Sequence, residues 1–156
     1  MNFSQLANHR ILDQPIYQPG KPIEQVALEY NLDINEICKL ASNENPWGAS
    51  PKAIEAGKKS LENVHLYPEG SGFKLRAKIA SLQKIDPNQI ILGNGSNEII
   101  ELLGHVFLDT EDEVLVGQHA FVVYKLTALL MGARPVVVPM PNLVHDLNKF
   151  REAITD

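Results

Sequence analysis

Residues 90–98 read Ile-Ile-Leu-Gly-Asn-Gly-Ser-Asn-Glu, so a short apolar run is followed directly by a turn that contains two glycines. From Ile99 to Phe107 the apolar residues then recur at the spacing of a helix. A strand that turns through glycines into a helix leaves backbone N–H groups free at the positive end of the helix dipole. With Ser96 as the predicted N-cap, this turn predicts a site for an anion, most often a phosphate.

Other interpretations of the same turn must be weighed against phosphate binding. Asn94-Gly95 is also typical of a β-hairpin, but the helical period that follows argues against one. Asn94-Gly95-Ser96 fits the N-glycosylation pattern, which requires a secretory route, and the sequence shows no signal peptide. A tight strand-to-helix turn without any ligand stays open as an alternative, because such turns are common in α/β proteins.

Composition excludes several other classes of function. The chain has 156 residues, 44% hydrophobic and 21% charged, with a net charge of −5, which does not favour a nucleic-acid partner. No apolar run approaches the length of a membrane span, and the single cysteine, Cys38, fits a reducing compartment. The five histidines lack the close spacing of a metal pair. We therefore expect a cytoplasmic protein without a metal site.

The first half of the chain contains many prolines, and helices are predicted to begin there at Pro22, Ser50-Pro51 and Phe73. The second half alternates between strand-like and helical patterns. The predicted strands are Gln89–Leu92, Glu113–Val116 and Pro135–Pro139, and the predicted helices are Asn97–Leu108, Val122–Met131 and Leu147–Thr155. This alternation predicts a parallel sheet with right-handed crossovers.

Two details of the predicted sheet concern its surroundings. The apolar run from Val136 to Val138 predicts a strand that is covered on both faces. The glycine turn and residues 117–121 both follow strands, so we expect them to face one cleft. Three strands leave an open edge, which indicates the front part of a larger protein.

Five segments in order carry a resemblance to a known family: Tyr17-Gln18-Pro19-Gly20, residues 39–48 (Lys-Leu-Ala-Ser-Asn-Glu-Asn-Pro-Trp-Gly), Tyr67-Pro68, residues 93–98 and residues 119–124 (His-Ala-Phe-Val-Val-Tyr). Together they closely resemble the amino-terminal part of histidinol-phosphate aminotransferases, pyridoxal-phosphate enzymes of the aspartate-aminotransferase fold. The resemblance implies an α/β fold with helices on both faces of a parallel-type sheet. It also implies an amino-terminal arm and small-domain segment at residues 1–50 and the first part of the large cofactor-binding domain at residues 51–156.

The resemblance further implies roles for individual residues. Gly95, Ser96 and Asn97 correspond to the cradle for the 5′-phosphate of pyridoxal 5′-phosphate, largely through backbone N–H groups. Phe121 corresponds to the aromatic residue that stacks on the pyridine ring, and Tyr67 to a tyrosine that reaches the phosphate of the neighbouring subunit in a homodimer.

Tyr17 corresponds to a residue near the substrate, and Asn45 lies in a segment near the active-site entrance. The family transfers an amino group between histidinol phosphate and 2-oxoglutarate in L-histidine biosynthesis. Its Schiff-base lysine, and an aspartate and an arginine that assist, lie later in the family's chain than the part that residues 1–156 resemble. This chain alone is therefore expected to be inactive. Threonine-phosphate decarboxylases and aromatic aminotransferases share the fold and remain alternatives, as does a non-catalytic phosphate-binding module.

Overall fold

The computed structural model describes residues 3–12 and 14–155. Contacts divide the chain into two compact units, Met1–Tyr17 with Gly72–Asp156, and Gln18–Ser71. The first unit contains α1 (His9–Leu12), α4 (Phe73–Gln83), α5 (Ser96–Phe107), β1 (Glu113–Gly117), α6 (Val122–Met131), β2 (Arg134–Val138), α7 (Leu147–Glu152) and the 3-10 helices Phe3–Gln5, Pro87–Gln89 and Pro141–Leu143. The second contains α2 (Ile23–Tyr30), α3 (Pro51–Ser60) and the 3-10 helices Ile34–Glu36 and Leu61–Asn63. No helix in these ranges has the length and apolar character needed to cross a membrane.

The sheet of the first unit is a parallel pair joined through α6. Strands β1 and β2 run in parallel with Glu113 opposite Arg134 and Gly117 opposite Val138. The Gln118 N–H donates to the Val138 carbonyl at 2.8 Å, which prolongs the ladder beyond β1, and Glu113 and Arg134 also form an ion pair. The predicted parallel β-α-β unit over residues 113–138 is therefore confirmed, because a parallel neighbour requires such a crossover.

The predicted first strand, Gln89–Leu92, is wrong for the described residues. Gln89 belongs to the 3-10 helix Pro87–Gln89, which Asp86 caps by accepting the Asn88 N–H at 2.7 Å. Ile90 has an extended backbone, with φ −117° and ψ 125°, but the sheet of the described chain consists of β1 and β2. An extended segment becomes a strand only when a neighbour pairs with it, and an apolar pattern does not show whether that neighbour exists.

The core of the first unit lies where α6 packs against the sheet and against α5. The buried residues here are small or unbranched for the most part: Val116, Thr127, Ala128, Ala133, Val138 and Met140, while Ala80 is buried separately on α4. Val138 is 2% exposed but Val137 is 49% exposed, so the expectation that this strand is covered on both faces is wrong in the described structure. Side chains alternate across a strand, and here only one of the two faces meets α6.

Two side chains of the amino-terminal segment attach it to α6. The Arg10 Nη1 donates to the Met131 carbonyl at 3.2 Å, and the Gln14 Nε2 donates to the Leu126 carbonyl at 3.2 Å. Gly132 ends α6 in the left-handed region with φ 88°, as predicted for a glycine after a helix. A Cβ at Gly132 would also lie 2.8 Å from the Arg10 Cζ, so a larger residue there would displace the Arg10 guanidinium as well as strain the backbone.

The second unit is largely helical and irregular. Helix α2 begins directly after Pro22, and its C-cap, Asn31, lies in the left-handed region with φ 50°. Glu29 accepts a hydrogen bond from the Lys21 Nζ at 2.6 Å, and this bond raises the pKa of Lys21 above its usual value. Ser50 precedes α3 at the predicted N-cap position, but its side chain makes no capping hydrogen bond. Pro51 at the first helical position instead provides a backbone angle that suits a helix start.

Candidate functional site

The glycine turn does enter a helix, but its N-cap is Gly95 rather than Ser96. Gly95 has φ 97° and ψ 174°, and Ser96 is the first residue of α5. The prediction of Ser96 as the cap is therefore wrong, because Ser96 already has the backbone of a helical residue. A positive φ of this kind is open to glycine and strained for residues with a Cβ, and this explains why Gly95 occupies the cap position.

Backbone donors are available at the start of α5. The first hydrogen bond of the helix joins the Ile99 N–H to the Gly95 carbonyl at 3.5 Å, so the N–H groups of Ser96 and Asn97 have no acceptor within the helix. Residues 93–97 are exposed, and a Cβ built on Gly95 would meet no other atom within 4 Å. Free donors, a positive helix end and open space at a glycine together fit a phosphate group.

The Glu98 carboxylate forms hydrogen bonds that hold the turn together, a role that was not predicted from the sequence. Its Oε2 accepts a hydrogen bond from the Asn94 backbone N–H and another from the Asn94 Nδ2 at 3.2 Å. A Cβ at Gly93 would lie 2.9 Å from the same oxygen and 2.8 Å from the Ile99 Cδ1. Glutamate three residues after an N-cap has the spacing of a capping box, but here it bonds Asn94, the residue before the N-cap Gly95, so the spacing indicates a turn-binding glutamate without indicating its partner.

Phe121 lies where β1 leads into α6. It occupies the N-cap position of α6 and remains 43% exposed. Its ring makes an edge contact with the Tyr124 ring, at 6.2 Å between centroids and 89° between planes. A cavity of about 410 Å³ beside Phe121 is lined by residues 114–117, 120, 121, 124, 145 and 150. This lining does not include the glycine turn, so the expectation that both segments face one cleft stays a prediction.

The far wall of this cavity comes from the segment after β2. The His145 Nε2 lies 2.7 Å, and the Met140 Sδ 2.6 Å, from where a Cβ would stand on Gly117. The His145 ring also contacts the Phe150 ring at 5.5 Å between centroids. Gly117 therefore allows the backbone to approach these side chains closely, and no motif in the sequence indicated this contact.

The remaining predicted site residues fall in both units. Tyr17 is about half exposed and belongs to the first unit, whereas Tyr67, which is fully exposed, and Asn45 belong to the second. The Asn45 Nδ2 donates to the Gly48 carbonyl at 2.9 Å, and its Oδ1 accepts the Trp47 N–H at 3.1 Å. Both ends of the Asn45 amide thus shape their own loop. The substrate roles of Tyr17 and Asn45 and the cofactor role of Tyr67 stay predictions.

Acidic, histidine and cysteine side chains do not assemble into a metal site in the described chain: within residues 3–12 and 14–155, no group of three or more could hold an ion. The polar groups at the glycine turn are its backbone N–H groups and the pair formed by Asn94 and Glu98.

Comparisons with known proteins place the chain among aminotransferases. No family model matches it. Histidinol-phosphate aminotransferase of Akkermansia muciniphila is 44% identical over 157 residues, covering 100% of this chain and 43% of that protein. Histidinol-phosphate aminotransferase 2 of Hydrogenovibrio crunogenus is 47% identical over 146 residues, covering 94% of this chain and 39% of that protein. The chain thus spans about 40% of the length of the curated relatives that it matches.

Solved structures show the same fold. Histidinol-phosphate aminotransferase from Sinorhizobium meliloti, determined with pyridoxal-5′-phosphate, superposes with a TM-score of 0.78 at 17% identity, covering 92% of this chain and 38% of that one. Aspartate aminotransferase from Thermotoga maritima gives a TM-score of 0.74 at 21% identity, covering 96% of this chain and 42% of that one. The predicted fold class is confirmed: the chain has the architecture of part of the aminotransferase fold.

Proposed function

We propose that the complete protein catalyses the reaction of histidinol-phosphate aminotransferases. This chain belongs to that family and matches the amino-terminal part of its members. The complete protein would transfer an amino group between histidinol phosphate and 2-oxoglutarate in L-histidine biosynthesis, with pyridoxal 5′-phosphate as cofactor. The observation that carries the proposal is sequence identity above 40% over nearly the whole chain to several relatives of this name. A solved protein of this name was determined with pyridoxal-5′-phosphate, and the phosphate of that cofactor would suit the geometry of the turn.

The residues of this chain would bind and orient the cofactor. The N–H groups of Ser96 and Asn97, at the positive end of α5, would donate to the phosphate, and Gly95 would give the backbone the bend that exposes them. Phe121 would pack on the pyridine ring, where an offset stack contributes about 1 kcal/mol beyond burial. When bound, the cofactor supplies the electron sink of the reaction. The residues of this chain hold it in place.

Further residues and partners belong to the same proposal. Tyr67 would complete the phosphate site of a second subunit in a homodimer, and Tyr17 and Asn45 would lie near the substrate. Residues 1–50 would form the arm and small-domain segment, and residues 51–156 the first part of the large domain. The protein would work in the cytoplasm, and residues 1–156 alone would not transaminate.

The test uses the purified product of the complete reading frame that contains this chain. We expect 2-oxoglutarate-dependent amino transfer from histidinol phosphate to exceed transfer from phenylalanine. Preference for phenylalanine would favour an aromatic aminotransferase, and release of carbon dioxide from threonine phosphate would favour the decarboxylase. Supplying pyridoxal in place of its 5′-phosphate should give much weaker binding, since the donors of α5 would then have no anion to hold. Equal binding of the two forms would contradict a phosphate site at this turn.

A further inference from the structure

We propose that Glu98 is a positioning residue, whose carboxylate shapes the turn so that the first N–H groups of α5 stay free for the cofactor phosphate. This inference rests on the proposed function and names the residue that sets up its phosphate site. The two contacts behind it are those of the Glu98 Oε2 with the backbone N–H and the Nδ2 of Asn94. Glu98 is half-buried, whereas Asn94 is exposed, so the residue anchored in the helix holds the one in the open turn.

The direction of the Glu98 side chain decides which donors remain available. In a capping box, the glutamate three residues after the N-cap accepts the backbone N–H of the N-cap residue itself. Here the carboxylate instead reaches back to Asn94, the residue before the N-cap Gly95. The N–H groups of Ser96 and Asn97 therefore have no competing carboxylate from Glu98, although it lies within a single turn of them.

Glu98 acts through its ability to accept hydrogen bonds, and its negative charge opposes the role. A carboxylate close to a bound phosphate weakens phosphate binding by like-charge repulsion. A glutamine keeps an oxygen that can accept both bonds from Asn94 and removes the charge. An alanine removes the acceptor and leaves the Asn94 N–H without its partner. Both substitutions remove the charge, but only alanine also removes the acceptor, so affinity for the cofactor should fall in Glu98→Ala and should be kept in Glu98→Gln.

The experiment compares Glu98→Ala and Glu98→Gln in the complete protein, prepared without cofactor and titrated calorimetrically with pyridoxal 5′-phosphate or with pyridoxal. We expect Glu98→Ala to lower affinity for pyridoxal 5′-phosphate about tenfold, because the turn that Glu98 no longer holds must be ordered when the phosphate binds. Its affinity for pyridoxal should change less than about twofold, because pyridoxal has no phosphate for the turn to hold. Glu98→Gln should bind pyridoxal 5′-phosphate at least as tightly as the parent. Glu101→Ala and Glu101→Gln, on the exposed side of the same helix, are the matched controls and should behave like the parent.

Amide hydrogen exchange gives a measurement that does not depend on the cofactor. The Asn94 amide should be protected in the cofactor-free parent and in Glu98→Gln, and should exchange rapidly in Glu98→Ala. This comparison keeps the proposal falsifiable even if Glu98→Ala does not fold, because the parent and Glu98→Gln each have a defined outcome.

Three results would overturn the positioning role: rapid exchange of the Asn94 amide in the parent, unchanged cofactor affinity in Glu98→Ala, or equal losses in Glu98→Ala and Glu98→Gln. Failure of the proposed function would look different. In that case the parent would bind pyridoxal and its 5′-phosphate equally, while the exchange at Asn94 would still report whether Glu98 holds the turn.

Discussion

Replacing Gly95 by alanine isolates the contribution of backbone conformation to the candidate phosphate site. A Cβ at Gly95 would meet no atom within 4 Å, so the substitution creates no clash inside the protein. What changes is the allowed backbone, since Gly95 sits at φ 97° and ψ 174°, a region almost restricted to glycine. Holding an alanine there costs about 1–3 kcal/mol. By the usual conversion, this is about a fivefold to 150-fold change in an equilibrium constant.

The free energy can be lost in either of two measurable ways. If the turn keeps its shape, the free energy of unfolding falls by about 1–3 kcal/mol. If the turn relaxes instead, stability is preserved but the Ser96 and Asn97 N–H groups no longer converge, and affinity for pyridoxal 5′-phosphate falls by a comparable factor. Urea denaturation followed by circular dichroism measures the free energy of unfolding. Calorimetric titration of the cofactor-free complete protein measures the affinity for pyridoxal 5′-phosphate. The two losses should together amount to about 1–3 kcal/mol.

Gly57→Ala is the matched control. Gly57 lies inside α3, is exposed, and a Cβ there would also meet nothing within 4 Å. An alanine in an exposed helix interior gains about 0.5–1 kcal/mol of stability over glycine. The same added methyl group should therefore stabilise at Gly57 and destabilise, or weaken cofactor binding, at Gly95. A Gly95→Ala protein that matches the parent in both stability and cofactor affinity would refute the reasoning.

Three further outcomes are expected. Gly104→Val should lower the free energy of unfolding, measured by urea denaturation, by about 1–3 kcal/mol. The reason is that even a Cβ at Gly104 would lie 2.7 Å from the Thr127 Cγ2. Unchanged stability would contradict this packing of α5 on α6. Phe121→Leu in the complete protein should weaken binding of pyridoxal 5′-phosphate about fivefold, whereas Phe121→Tyr should not, and equal affinities would argue against a ring stack. Residues 1–156 expressed alone should bind a hydrophobic fluorescent dye and melt broadly, because many large apolar side chains, including Leu40, Val106 and Phe107, are exposed; sharp cooperative melting without dye binding would contradict this.

Elements that depend on nearby sequence were predictable. Helix α6 occupies Val122–Met131, with Gly132 in the left-handed region after it, as the apolar period and the glycine predicted. The parallel pairing of the strands on either side of α6 followed because two neighbouring strands joined by one crossover helix run in the same direction. Each of these conclusions required only residues close together in the chain.

Features that depend on distant neighbours were not predictable. Residues 90–92 have the composition of a strand, yet they lie outside the described sheet, since pairing depends on a partner that an apolar pattern cannot specify. The run from Val136 to Val138 looks like a strand buried on both faces, yet the Val137 side chain is half exposed. Local composition indicates which side chains of a strand could be buried. The helices and strands that pack on each face determine which side chains are buried.

The choice of helix cap shows how a reasonable local rule can miss the functional arrangement. Preference scales favour serine as an N-cap because its hydroxyl accepts a free N–H of the first turn. That same bond would take a donor away from any ligand. With Gly95 as the cap, no capping side chain competes for these donors, and Glu98 secures the turn through Asn94, on the other side of the cap. The rule for stabilising a helix and the requirement for binding an anion therefore select different residues at one position. The structure has glycine at this position, which leaves the donors free, and the turn is held by Glu98, which does not use them.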